Sequence, residues 1–168
     1  MSLLYEHKRD KKGNEYIAVT GYEGELPALI IPDSIEDLPV REISAGAFSG
    51  RKDIREVMLP DTIEVLGRYA FYNCTALETV TVGNGVETIG RSAFYKCISL
   101  GSVSLPYSVR SIGSYAFYGC TSLKEAGLGA ARNVGDCAFF GCTALESIKI
   151  PDTVTSVGKH AFNGCTAL

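Results

Sequence analysis

The sequence predicts a solenoid, a coil of short parallel β-strands wound around one continuous core, and three observations predict it. The dipeptide Ala-Phe recurs with its phenylalanine at Phe48, Phe71, Phe94, Phe117, Phe139 and Phe162, in steps of 23, 23, 23, 22 and 23 residues. Three residues after each come Arg51, Cys74, Cys97, Cys120, Cys142 and Cys165, and six after come Ile54, Leu77, Leu100, Leu123, Leu145 and Leu168. Most of those apolar residues open an alternating run, as in Leu77-Glu78-Thr79-Val80-Thr81-Val82 and Leu145-Glu146-Ser147-Ile148-Lys149-Ile150. Alternation is the period of a strand with one buried face. A unit of about 23 residues buries too little apolar surface to be stable alone, so coils must share a core. Equivalent strands then pair at roughly 4.8 Å.

From the N-terminus, "YEHKRDKKGNEYIAVTGYEG" reads as a hairpin turning at Lys12-Gly13-Asn14. Residues 1–28 are assigned to a hairpin cap over the open end of the solenoid, because terminal repeats need one. Residues 29–168 form about six coils, the last incomplete, in one continuous domain. Within a coil, Pro60-Asp61, Gly83-Asn84, Pro106-Tyr107 or Pro151-Asp152 ends the first strand. A second apolar pair follows (Ile63/Leu66, Val86/Ile89, Val109/Ile112, Val154/Val157), and Gly67, Gly90, Gly113 and Gly158 close it before the Ala-Phe turn. Two departures stand out. Pro32 to Ile43 spans eleven positions where Pro106 to Ile112 spans six, and the fifth unit, "LGAARNVG", lacks one residue and its proline. That loss predicts an irregular second strand. The pattern stops within a repeat at Leu168, the expectation for a piece of a longer protein.

Composition narrows the function classes. Apolar residues make up 46% and charged residues 21%, as in soluble globular proteins. A net charge of −3 gives no electrostatic case for nucleic acid or an anionic membrane. The one basic cluster, His7 to Lys12, fits a solvated hairpin tip. No run approaches the 18 apolar residues of a membrane span.

The segments "IPDTVTSVGKHAFNGCTAL", "LPYSVRSIGSYAFYGCTSL" and "LPDTIEVLGRYAFYNCTAL" resemble the BspA-like leucine-rich repeats of bacteria, and so does the lead-in "VTGYEGELPALIIPDSIEDLPVREISAGAF". The resemblance implies a leucine-rich repeat solenoid of the α/β-type class, mainly short parallel strands with short helical or 3-10 turns. It also implies a cell-surface or secreted protein whose targeting signal lies outside this chain, acting as an adhesin on host or extracellular matrix proteins. It carries over no catalytic residue.

The cysteines test whether the chain does chemistry. Cys74, Cys97, Cys120, Cys142 and Cys165 share one slot, so their side chains stack inward in a row. A row is not a tetrahedron, no Cys-x-x-Cys occurs, and parallel side chains lack the crossed geometry of a disulfide. Apolar surroundings raise a thiol's pKa and deactivate it. The ladder therefore reads as small buried filler. Cys137 occupies a different slot, shared with Tyr69, Ser92, Tyr115 and His160, and is the thiol placed to meet solvent. The histidines His7 and His160 lie some six coils apart, and no Cys-His or Ser-His dyad is expected. The carboxylates are scattered, Gly83-Asn84-Gly85 precedes no helix, and the sequon Asn73-Cys74-Thr75 rests on a buried cysteine.

What remains is surface. The residue after each Ala-Phe forms a stripe, Ser49, Tyr72, Tyr95, Tyr118, Phe140 and Asn163. Tyr72, Tyr95, Tyr118 and Phe140 are the candidate binding residues, a platform for a protein or glycan partner, against the alternative that they merely pack on one another. The outward strand face, with Glu78, Thr79, Thr81, Ser102 and Ser104, is the second candidate surface. The expected function is thus a non-enzymatic protein-binding or adhesion module with no metal or cofactor. The alternative is an intracellular scaffold of the same fold.

Overall fold

The computed structural model describes residues 2–168. β1 (Ser2–Arg9) and β2 (Glu15–Glu23) form the N-terminal antiparallel hairpin. Its turn is closed by the Asp10 carboxylate, which accepts the backbone N–H groups of Lys12 at 2.8 Å and Asn14 at 2.9 Å. β3 (Ala28–Ile30) follows, then β4 (Ser34–Ile35) and β5 (Leu38–Ile43). The eleven-position first coil is a second, small hairpin: β4 pairs antiparallel with β5 through Glu36-Asp37, at φ 53° and 61°. Two left-handed residues in a two-residue loop give the twist that hairpins favour, a geometry usually supplied by Asn-Gly. The hairpin head is tied to β1, where the Tyr5 hydroxyl donates to Glu36 at 2.9 Å and His7 Nε2 stands 2.9 Å from the same carboxylate.

Each later coil contributes two strands: β6 (Glu56–Met58) and β7 (Val65–Leu66), β8 (Thr79–Thr81) and β9 (Thr88–Ile89), β10 (Ser102–Leu105) and β11 (Ser111–Ile112), β12 (Glu125–Leu128) and β13 (Asn133–Val134), β14 (Ser147–Lys149) and β15 (Ser156–Val157). The first strands of the coils pair in parallel as β3-β6-β8 and β10-β12-β14. The second strands form one sheet along the whole molecule, β1-β2-β5-β7-β9-β11-β13-β15. β2 enters it in parallel with β5 and buries Ile17, Ala18 and Val19, so the hairpin is the first course of that sheet.

The Ala-Phe turns are a third hydrogen-bonded side. Phe71 N–H donates to Ala93 O at 2.8 Å, Phe94 to Ala116 at 2.8 Å and Phe117 to Ala138 at 2.7 Å, each reaching the next coil. Inside, Phe48, Phe71, Phe94, Phe117 and Phe139 are fully buried and stack with Phe162 at 5.1–5.6 Å between ring centroids. The close approach of coils explains the glycine row: a Cβ on Gly90 would stand 2.6 Å from the Leu66 carbonyl oxygen.

Two expectations need correcting. The Ala-Phe turns hold no helix among the described residues. Tyr69, Ser92, Tyr115, Cys137 and His160, just before Ala-Phe, have φ between 53° and 61°, and Asn73 and Lys96, two residues after the phenylalanine, are also left-handed. Left-handed residues on both flanks stop each turn after single i→i+3 bonds, such as Tyr72 N–H to Tyr69 O at 3.1 Å. The second strand of the fifth unit is regular as well: Asn133 and Val134 pair in register with Ser111 and Ile112 on one side and Ser156 and Val157 on the other. The missing residue is absorbed in the preceding turn, where Gly129 adopts φ 62°.

Candidate functional site

The thiol ladder is structural, and it does more than fill space. Each ladder cysteine donates its S–H to the phenylalanine carbonyl of the preceding coil: Cys74 to Phe48 at 3.1 Å, Cys97 to Phe71 at 3.2 Å, and Cys120, Cys142 and Cys165 to Phe94, Phe117 and Phe139 at 3.1 Å. A small residue that also donates a weak hydrogen bond suits a buried slot facing a carbonyl. All six cysteines are free. Burial pushes Cys74 and Cys142 up to about 12 and Cys97 and Cys120 well above the ordinary thiol value, so the protonated donor is the form the fold stabilises.

In the first coil Arg51 takes this slot and reaches outward instead. Its guanidinium donates to the carbonyls of Tyr22 and Gly24 and pairs with Asp53, whose other contact is the Leu26 N–H at 2.8 Å. The Arg51 hydrogen bond holds the Asp53 carboxyl well below the usual carboxylate range. This group fastens the segment after β2 to the first coil.

Coil stacking also brings the last two members of the slot before Ala-Phe into neighbouring coils. Cys137 and His160 occupy one slot in successive coils, with the Cys137 N–H bonded to Lys159 O at 2.9 Å. His160 Nδ1 lies 3.4 Å from the Asn163 amide nitrogen. The shared slot follows from the 23-residue offset between Cys137 and His160. Among the described residues no group of three or more His, Cys, Asp or Glu side chains could hold a metal ion.

The structure brings Tyr72, Tyr95, Tyr118 and Phe140 into one column. Successive ring centroids are 4.8, 4.8 and 5.0 Å apart, with planes within 10° of parallel. The geometry follows from the backbone: each ring projects from the same turn position, and turns repeat at the strand-pairing distance. All four are half-buried. Their faces are turned to one another, so the ridge offers solvent a row of ring edges and three tyrosine hydroxyls. Burial, followed by the neighbouring phenols, raises the Tyr95 pKa. Tyr69 meets Tyr72 edge-on at 5.8 Å, Tyr115 leans on Tyr118 at 5.9 Å, and cations flank the column, Arg91 over Tyr115 at 5.4 Å and Lys96 over Tyr95 at 5.7 Å. The column ends at Ser49 and Asn163.

The outward strand face differs in character. Glu56, Thr79, Ser102, Glu125 and Ser147 are exposed along successive coils, and Arg55 pairs with Glu78 at 2.8 Å at one end. Between Thr79 and Ser104 its outward side chains are small hydroxyls, which give a partner little area to bury.

Residues 41–168 match the family profile described as "BspA type Leucine rich repeat region", in six copies. Among solved structures, the chain is similar to a leucine-rich repeat protein of T. pallidum, at 31% identity and TM-score 0.73 over 98% of this chain and 87% of that one. A leucine-rich cell surface protein from Faecalibacterium prausnitzii is 29% identical at TM-score 0.72, covering 98% of this chain and 51% of that one. A leucine-rich repeat protein from Bacteroides ovatus is 25% identical at TM-score 0.66, covering 100% and 51%. The chain thus spans about half the length of these last two. Curated proteins offer no match to the sequence. The chain belongs to the BspA-type leucine-rich repeat family.

Proposed function

We propose that the chain is a non-enzymatic protein-binding or adhesion module of a bacterial surface or secreted leucine-rich repeat protein. The observation that carries this reading is the Tyr72–Tyr95–Tyr118–Phe140 ridge. It is a rigid aromatic surface spanning four coils, edged by Arg91 and Lys96, the residue chemistry in which interface hot spots are enriched. Stacking fixes the rings before any partner arrives, so little side-chain entropy is lost on binding. A similar solved protein described as a cell surface protein supports the location. The partner class is protein, host or extracellular matrix protein included. Within the column the ring faces cover one another, which favours a protein partner over a sugar ring at the middle of this ridge.

The test compares two surfaces on the intact chain. Tyr95→Ala with Tyr118→Ala is set against Thr79→Glu with Ser102→Glu, and binding to an immobilised panel of extracellular matrix proteins is measured after each variant is shown to unfold cooperatively. The ridge variant loses binding and the strand-face variant keeps it. The reverse pattern refutes the ridge.

A further inference from the structure

The fifth coil is the one repeat with a shortened outer turn. In the coils on either side, the turn after the first strand is closed by Val109 N–H to Pro106 O and Val154 N–H to Pro151 O, both at 3.1 Å. In the fifth coil the corresponding bond runs from Ala131 N–H to Leu128 O at 3.1 Å, so the turn begins one residue earlier, on the end of β12. Gly129 makes the bend at φ 62°, and a Cβ there would stand 2.1 Å from the Pro106 carbonyl oxygen. The position is closed to any side chain. Gly127 holds the outward position of β12, between Ser104 on β10 and Lys149 on β14.

Two glycines and a missing residue leave a notch between the fourth and sixth coils. Ser104 and Tyr107 line one side, Lys149 and Pro151 the other, and Gly127 and Gly129 the floor. Tyr107 is 83% exposed and packs against no other aromatic ring among the described residues. Lys149 is the only charged side chain lining the notch and has no carboxylate partner among the described residues. The Ser104 hydroxyl likewise makes no hydrogen bond to the protein there.

We propose that this notch binds a carboxylate-bearing sugar residue. The polar, aromatic and glycine parts of the lining each answer to one part of that ligand, and Leu105, Leu128, Ile150 and Pro151 add apolar edges around them. The free face of Tyr107 suits the C–H face of a pyranose ring, the complement that the middle of the stacked ridge does not offer. Lys149 supplies the single positive charge for a carboxylate. Ser104 offers a donor and an acceptor to a ring hydroxyl. The glycine floor lets the ring approach the backbone closely. A peptide fits less well as an added strand, because β12 is already paired on both edges, with β10 and β14. The site lies away from the aromatic ridge and is independent of the function proposed for it.

The experiment follows backbone amide shifts of the intact chain by NMR during titration with four probes. They are the methyl glycosides of N-acetylneuraminic acid and of glucuronic acid, neutral methyl β-galactoside, and the acidic peptide N-acetyl-Glu-Phe-amide. At least one acidic sugar shifts the signals of Gly127, Gly129 and Lys149, and the neutral sugar binds far more weakly. Tyr107→Ala and Lys149→Gln, both on exposed side chains, each weaken binding about tenfold, the loss expected for one contact of this kind. Gly127→Leu abolishes it by filling the notch; an added Cβ there meets Ser104 Oγ at 3.6 Å, an ordinary contact that leaves the fold intact. Three results overturn the proposal: no shift with either acidic sugar at millimolar concentration, equal binding of the neutral sugar, or tighter binding of the peptide at the same residues.

Discussion

Two columns of aromatic rings run along this molecule, one residue apart in every repeat, and they obey different rules. The inner column, Phe48 to Phe162, is unbroken through all six coils, and five of its rings are fully buried. The outer column is aromatic in only four coils, Tyr72 to Phe140, and gives way to Ser49 and Asn163 at its ends. Stacking is tight in both, 5.1–5.6 Å inside and 4.8–5.0 Å outside. Packing alone therefore does not separate them; tolerance does. The backbone accepts serine or asparagine in the outer slot with the same i→i+3 bond, Ser49 N–H to Gly46 O and Asn163 N–H to His160 O, so the turn itself does not require an aromatic residue there. The inner slot accepts no such exchange in this chain.

The largest test of that difference is a pair of inner-column substitutions. Phe117→Ala empties a fully buried site between two coils and is expected to destabilise by roughly 3–5 kcal/mol. Phe162, half-buried in the last coil, is stacked on Phe139 alone among the described residues, so Phe162→Ala is expected to cost less. Urea unfolding of both variants measures it. Equal losses would break the picture of stability as a sum over neighbouring coils.

A smaller effect comes from the thiols behind the inner column. Their folded pKa values are raised, so folded thiols stay protonated where unfolded ones ionise. Stability is then complete below the unfolded thiol pKa, near 9, and falls as pH rises from there toward about 12, where Cys74 and Cys142 titrate in the folded state. Each buried thiol contributes a slope of about 1.4 kcal/mol per pH unit in that window. Cys120→Ala should make the alkaline loss shallower by that amount between pH 9 and 10.5, measured by urea midpoints. An unchanged slope would mean the ladder is open to solvent.

Much of the fold is written in the spacing. The offsets of Phe, Cys and Leu alone place three inward ladders, because a solenoid converts sequence period directly into stacking. The features that escaped are those a single repeat does not encode. Tyr69 and Lys96 are left-handed although neither side chain favours that backbone; the coil-to-coil bonds Tyr69 N–H to Arg91 O and Lys96 N–H to Tyr118 O hold them there. Glu36-Asp37 forms a tight hairpin turn without glycine or asparagine, because Tyr5 and His7 hold Glu36 from the neighbouring strand. The lost residue of the fifth unit was visible, but the position where the chain absorbs it depends on Pro106 in the adjacent coil. For the candidate site, the four ridge residues were legible and their common column followed from the repeat. That the ring faces are mutually covered, leaving only edges to a partner, required the side-chain geometry.

The central claim is that the inner column serves folding and the outer column serves recognition. Hydrogen–deuterium exchange with and without a bound matrix protein tests it most directly. The account predicts new protection centred on the turns that carry the ridge, at residues 72–73, 95–96, 118–119 and 140–141, spread over all four coils. Protection confined to the first-strand face at residues 79–81 and 102–105, with those turns unchanged, would contradict it.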